Sequence, residues 1–382
     1  MDGNPRFGTP ALTAATAAED QADREPIPVL RPRLPGWRRI AAYIRDLEEG
    51  GWYSNFGPLE RRLRTRLADR FGCEESRLVT TSSATSALTG LVALSDFRDW
   101  EVPAFAFPAA GHAVLQAGRR LHLVDIAEDT LRISPRGRRD RAGRIDVLPF
   151  GAAVSRGVLE SEGPGVVIDA AASLGAANAP LSLLRPEDSV VFSLHATKVL
   201  GCGEGGVAVC GSDEQAQRLR AWTNFGFQGS REAGTVATNA KMSEYSAAVA
   251  HAALDEWPLT AAAWREAQSA VRSVTAALGI VTLPPAPPDI TPYCIGMWVD
   301  ADATDRVEHT LATRRIATRR WWARGLHRMP AFASLAGDHY PVTDAIAARC
   351  LGLPVFPGID SSAVTRLQSA LMEAVCRDSV SS

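Results

Sequence analysis

From residue 77 to residue 211 the chain alternates short β-rich runs with helical stretches. The runs are "RLVTTSS" (77–83), "WEVPAF" (100–105), "RLHLVDI" (120–126), "RIDVLPF" (144–150), "GVVIDA" (165–170), "SVVFSL" (189–194) and "GVAVCG" (206–211). Several are continuous rather than alternating polar and apolar, as strands covered on both faces are. "ATSALTGLVALSD" (84–96) and "PAAGHAVLQAG" (108–118) fall between them as helices. Strands interleaved with helices define an α/β domain: a mostly parallel, mixed sheet flanked by helices.

Further helices surround this core. "GWRRIAAYIRDLEEGG" (36–51) is amphipathic and closed by two glycines, and "PLERRLRTRLADRFG" (58–72) begins with proline in its first turn and stops at Gly72. Residues 242–257 and 261–279 read as two long helices. The proline-rich "LPPAPPD" (283–289) then marks a connector. Beyond it come a strand (293–300), a helix (304–314), a second strand near 316–322 and a final helix (361–377), which make a small α+β lobe. The expected organisation is a flexible tail (1–26), a large domain (27–282) and a small C-terminal domain (283–382).

Composition narrows the class. A hydrophobic content of 46%, 22% charged residues and a net charge of −2 suit a globular protein with no general attraction to nucleic acid or membranes. No apolar run is long enough to span a bilayer, and the first 25 residues lack the basic start and apolar stretch of a signal peptide. The six cysteines form no C-x-x-C pair and no cluster with histidine. No metal site is expected, and reduced thiols in a cytoplasm are.

Of 41 basic residues only Lys198 and Lys241 are lysine. A genome biased toward arginine codons explains the scarcity of lysine but not which lysines stay. A lysine amine can lose its proton and act as a nucleophile, which arginine cannot. Lys198 lies just past a strand and before a glycine-rich loop in "VVFSLHATKVLGCGEGG" (190–206). Asp169 ends "GVVIDA", at the strand end where open α/β sheets bind ligands. "TTSSATSAL" (80–88) carries a strand into a helix whose N-terminus, at Ala84 and Thr85, suits a phosphate. Phe107 lies just beyond another strand end. A reactive lysine, a buried aspartate, a phosphate cradle and a flat ring fit pyridoxal 5′-phosphate (PLP). Each residue also has a plainer role open to it: Asp169 as a helix cap before "AAASLG", Phe107 as core, Lys241 as a helix-start cation, and His195 in packing or a supporting hydrogen bond.

Nine segments, in order, resemble the DegT/StrS-type sugar aminotransferases, which are PLP enzymes of the aspartate aminotransferase fold (fold type I). They are "SNFGPLERRL" (54–63), "SSATSAL" (82–88), "VPAFAFPAAGHAV" (102–114), "VIDAAASLG" (167–175), "FSLHATKVLGCGEGGVAV" (192–209), "TNFGF" (223–227), "NAKMSEYSAA" (239–248), "ATRRWWARGLH" (317–327) and "LGLPVFPGI" (351–359). The resemblance implies that Lys198 is the Schiff-base lysine and the carrier of the transferred proton. Asp169 would pair with the pyridine nitrogen, Ser193, Ala84 and Thr85 would hold the phosphate, and Phe107 would stack on the ring. Asn239 would reach the phosphate of a neighbouring subunit's cofactor, which implies a homodimer with shared active sites. Asn55, Arg319 and His327 are the candidates for contacting substrate.

Two positions depart from the family pattern. Ala172 stands where many members have histidine or glutamine near the ring, and Ala84 stands where many have glycine. The expected reaction takes the amino group of L-glutamate, through the PLP and pyridoxamine phosphate (PMP) forms, to the ketone of a nucleotide-linked deoxysugar. Within the family, "NAKMSE" with "RRWW…LH" most resembles the members that aminate C4 of dTDP-4-keto-6-deoxyglucose. A C3-keto or UDP-linked sugar, and a non-catalytic PLP-binding regulator, are the alternatives. A PMP-dependent dehydratase of this fold lacks the lysine, so Lys198 argues against it.

Overall fold

The computed structural model of the chain describes residues 25–134, 139–160, 165–177, 179–283, 295–337 and 339–376. Nearly all of the expected tail and connector, together with Cys294, fall outside these residues.

Helices α1 (Trp37–Gly50) and α2 (Pro58–Phe71) come first. Strand β1 (Leu78–Thr81) leads into α3 (Ala84–Ala93), and β2 (Asp99–Pro103) leads into α4 (Pro108–Gln116). Strands β3 (Arg120–Val124) and β4 (Gly143–Val147), the single turn α5 (Arg156–Leu159), and strands β5 (Val166–Asp169), β6 (Ser189–Ser193) and β7 (Gly206–Cys210) follow. Helices α6 (Asp213–Thr223), α7 (Glu244–Asp255) and α8 (Trp257–Ala277) come next. The last part holds β8 (Thr282–Leu283), β9 (Ile295–Trp298), α9 (Thr304–Thr313), β10 (Arg319–Arg320), α10 (Pro341–Arg349), β11 (Cys350–Leu353) and α11 (Ser361–Cys376).

The large sheet has the order β1-β7-β6-β5-β4-β2-β3. Strand β7 runs opposite to the other six, so the sheet is mixed and mostly parallel, as the strand–helix alternation implies. Its strands other than the edge strand β3 are largely buried on both faces. Val190 and Phe192 of β6 join one apolar cluster with Leu63 and Leu67 of α2 and Ala247 of α7. Val191, between them, points into the opposite cluster with Leu88 of α3, Ala113 of α4 and Leu219 of α6. That double coverage is why these strands read as unbroken apolar runs.

Helix ends follow their local chemistry. The hydroxyls of Ser83, Ser212 and Ser243 accept the amides of Ser86, Gln215 and Ser246 and start α3, α6 and α7. Gly51 and Gly72 stop α1 and α2 in the left-handed conformation, each at φ 59. Helix α8 begins at Trp257 rather than at 261, because Pro258 fits its first turn. Helices α5, α6 and α10 and strands β8 and β11 are additions to the elements read from the sequence.

The second sheet, β10-β11-β9-β8, is antiparallel throughout. Val271 of α8, Leu311 of α9 and Leu367 of α11 pack on Met297 and Leu351. The same cluster reaches Phe105 and Phe150, which lie just past β2 and β4. The two sheets therefore meet at the C-terminal ends of the parallel strands.

Candidate active site

Strand register gathers the site. Thr81 and Ser193 both lie opposite Gly206, while Asp169 lies between Val147 and Val191. The ends of β1, β4, β5 and β6 thus share one edge of the sheet, where open α/β sheets place ligands. A cavity of about 410 Å³ opens there. Lys198, Asp169, Ser193, Ala84, Thr85, Phe107 and Arg319 all line it, as does Ala172.

Lys198 lies on a loop that folds back on itself. Its amide donates to the carbonyl of His195 at 2.8 Å, and the amides of Ala196 and Cys202 donate to Gly203 and Leu194 at 2.8 and 2.7 Å. A side chain at Gly201 would press on the backbone of Ala196 at 3.0 Å, so the glycine-rich run permits this close return. Beside Lys198, His195 Nδ1 accepts the Thr197 amide at 3.2 Å and lies 2.8 Å from the Thr197 hydroxyl. Its Nε2 lies 3.7 Å from Glu204.

Asp169 is buried, and burial pushes its carboxyl above the usual carboxylate range. The Ala171 N–H, donating to Oδ1 at 3.1 Å, and the charge of Lys198 pull in the opposite direction. At the start of α3 the Ser83 hydroxyl accepts the Ser86 amide at 3.1 Å, so the amides of Ala84 and Thr85 are the ones that helix geometry leaves for a ligand. Gly206 lies directly beneath: a Cβ there would run into the backbone of Ser83 and Ala84. Phe107 is 56% exposed, an aromatic ring standing open at the cavity.

Three expected site residues lie elsewhere. His327 is buried against Tyr340, with ring centroids 4.5 Å apart, and its Nε2 is 2.9 Å from Asp344. It is not among the residues that line the cavity; packing holds one face of its ring and Asp344 pairs with one nitrogen. Asn55 is exposed in the loop between α1 and α2 at φ 62, also away from the cavity. Asn239 is exposed on a neighbouring groove that shares Ser83 and Thr85 with the site, and its Oδ1 accepts the Lys241 ammonium at 2.8 Å.

The structure adds residues that the sequence reading did not assign to the site. Phe150, Trp321 and Trp322 line the cavity, as do Thr197 and Glu204. Phe150 closes the run "RIDVLPF", but nothing in that run marks the left-handed φ of 57 that turns it. Among the described residues no group of three or more His, Cys, Asp or Glu could hold a metal ion.

The donor set fits PLP. A carboxylate held in a dry site suits a protonated ring nitrogen, the α3 amides with Ser193 suit a phosphate, and Lys198 offers an amine to an aldehyde. Fold and site together define a PLP-dependent aminotransferase of fold type I. Residues 37–139 and 157–372 match the DegT/DnrJ/EryC1/StrS aminotransferase family, and the chain belongs to it. The general reaction of that family is PLP-dependent transfer of an amino group to the ketone of a nucleotide sugar.

Three relatives illustrate the match. Protein Rv3402c of Mycobacterium tuberculosis H37Rv is 28% identical, with 96% of each chain covered. The dTDP-4-amino-4,6-dideoxy-D-glucose transaminase of Shigella dysenteriae is 26% identical over 59% of this chain and 63% of its own. The crystal structure of DesI with its TDP-sugar product superposes with a TM-score of 0.80 at 27% identity, covering 93% of this chain and 95% of that one.

Proposed function

We propose that this enzyme moves the amino group of L-glutamate to the C4 ketone of dTDP-4-keto-6-deoxyglucose, acting as a homodimer with shared active sites. The observation that carries the reading is the convergence of Lys198, Asp169 and the α3 N-terminus on one cavity. The match to a Shigella transaminase named for a 4-amino sugar supports C4. The C3 ketone, or a UDP carrier, is the competing assignment.

When bound, PLP supplies an electron-withdrawing pyridinium ring. Asp169 would hold the positive charge at the ring nitrogen, and that charge in turn keeps the buried carboxylate ionised. The amides of Ala84 and Thr85, with the Ser193 hydroxyl, would hold the phosphate and fix the cofactor's position. Lys198 would anchor the aldehyde and then, released by the amino donor, carry a proton between the substrate carbon and C4′. Phe107 would cover one ring face. An exposed Asn239, its carboxamide oxygen turned to Lys241 and its NH₂ left to donate, supports a role across a subunit interface.

The test is the absorbance of the protein with PLP, before and after L-glutamate. We expect a lysine-bound PLP band that glutamate converts to that of PMP, and no such band in Lys198→Arg. A product aminated at C4 from the dTDP-4-keto sugar supports the full reading. A wild type that binds PLP but ignores glutamate overturns the donor, and amination only of a 3-keto sugar overturns C4.

A further inference from the structure

The cavity has two unlike halves. The groups that fit the cofactor come from β5, β6 with its following loop, and the start of α3. The other half comes from the segment after β4 and the segment after β10, and it is aromatic: Phe150, Trp321 and Trp322, with Arg319 at its edge. Phe150 and Trp322 stack in parallel, with centroids 5.7 Å apart and planes 3° apart. Phe105 braces Trp322 at 5.1 Å, and Trp321 meets Phe150 edge-on at 6.4 Å. Three features hold this wall in place. Phe150 adopts φ 57 and ψ 15, a left-handed conformation uncommon for a bulky residue and found disproportionately at functional sites. Gly352 of β11 leaves room for Trp321, whose ring any Cβ there would strike. The Arg319 guanidinium lies 4.9 Å from the Trp321 ring centroid. The wall joins the two sheets, and its rings offer a substrate no hydrogen-bond acceptor; of Phe150 and Trp322, only Trp322 has a polar atom.

We infer that Trp322, half-buried at the cavity and backed by the buried ring of Phe150, sets acceptor specificity by receiving the deoxygenated, methyl-bearing edge of the keto sugar. The inference rests on the proposed sugar-aminotransferase reading. A methyl group pressed on this indole leaves water without losing a hydrogen bond. A hydroxymethyl group in the same place gives up its water partners and meets at most the indole N–H of Trp322, which can donate to it but cannot accept its proton. An apolar pocket rejects an added hydroxyl only modestly, so the expected discrimination is about tenfold to a hundredfold in kcat/KM.

The experiment compares two dTDP-4-keto sugars that differ only at C6, one bearing methyl and one hydroxymethyl. It uses the PLP-loaded wild type, Trp322→Gln and Phe150→Tyr. The ratio of kcat/KM for the two sugars is read within each protein, so a general loss of activity cancels, and the PLP absorbance band reports that each variant is folded. Wild type is expected to favour the methyl sugar by about tenfold or more, with the ratio falling toward one in both variants. Equal kcat/KM in the wild type, or a ratio unchanged in both variants, overturns the inference while the amination of both sugars leaves the functional reading intact. If glutamate converts the PLP form but neither sugar is aminated, the proposed acceptor falls and this inference falls with it.

Discussion

Gly206 of β7 lies directly beneath the Ser83–Ala84 turn, so close that a single added methyl group would strike both backbones. The strand register that sets Gly206 opposite both Thr81 and Ser193 therefore also sets the height of the α3 N-terminus above the sheet. Replacing Gly206 with alanine should cost about 1–3 kcal/mol of stability through overpacking and should weaken PLP binding. Gly36→Ala, where nothing lies within 4 Å, should change neither. Thermal unfolding and a PLP titration of the two variants check the contrast.

Asp169 trades stability for function. Its folded-state pKa is raised, chiefly by burial, so the apo folded state binds a proton more readily than the unfolded chain does. Stability then falls as pH rises from the ordinary carboxylate range through the raised value, and the penalty is absent below that range. Apo Asp169→Asn should unfold at a higher temperature than apo wild type at neutral pH, with the gap closing on acidification. The same variant should lose most transaminase activity. Calorimetry across pH, alongside the glutamate half-reaction, measures both.

Glu244 caps a helix far from it in the chain: Oε2 and Oε1 accept the amides of Leu59 and Glu60 at 2.7 and 3.0 Å. Burial pushes its carboxyl up, while these two bonds pull it down. Glutamine can offer one acceptor but turns an NH₂ toward the second amide. Glu244→Gln should destabilise the protein by about 1–3 kcal/mol, read as a shift in the denaturant midpoint.

If Asn239 serves a neighbouring subunit, two defective variants should complement each other. Lys198→Arg and Asn239→Ala homodimers should each be impaired. Random mixing should give heterodimers with one intact site of two, recovering about a quarter of wild-type activity. No recovery after unfolding and refolding the mixture together would place Asn239 outside any shared site.

Much of the site was legible because its chemistry demands particular residue types. Lysine is rare enough here that Lys198 stands out, and a carboxylate ending an apolar strand calls for a partner. His327 was a candidate through the resemblance alone, and no stretch of sequence shows that it pairs with Asp344 and stacks on Tyr340. Phe150 was hidden because an aromatic after a strand usually belongs to the core. It does belong to the core, and that it also borders the cavity depends on a backbone angle of φ 57 that the sequence does not display.

The sequence by itself determined the strands of the large sheet, since burial on both faces leaves uninterrupted apolar runs, and the reactive parts, since Lys198, Asp169 and the Ser83 cap act through local chemistry. The tertiary structure alone decided which parts meet. Trp322 stacks on Phe150 because the second sheet docks on the strand ends of the first, and Asp169 has its raised pKa because distant segments exclude water from it. Contact and desolvation are properties of the packed chain, and no stretch of sequence contains either.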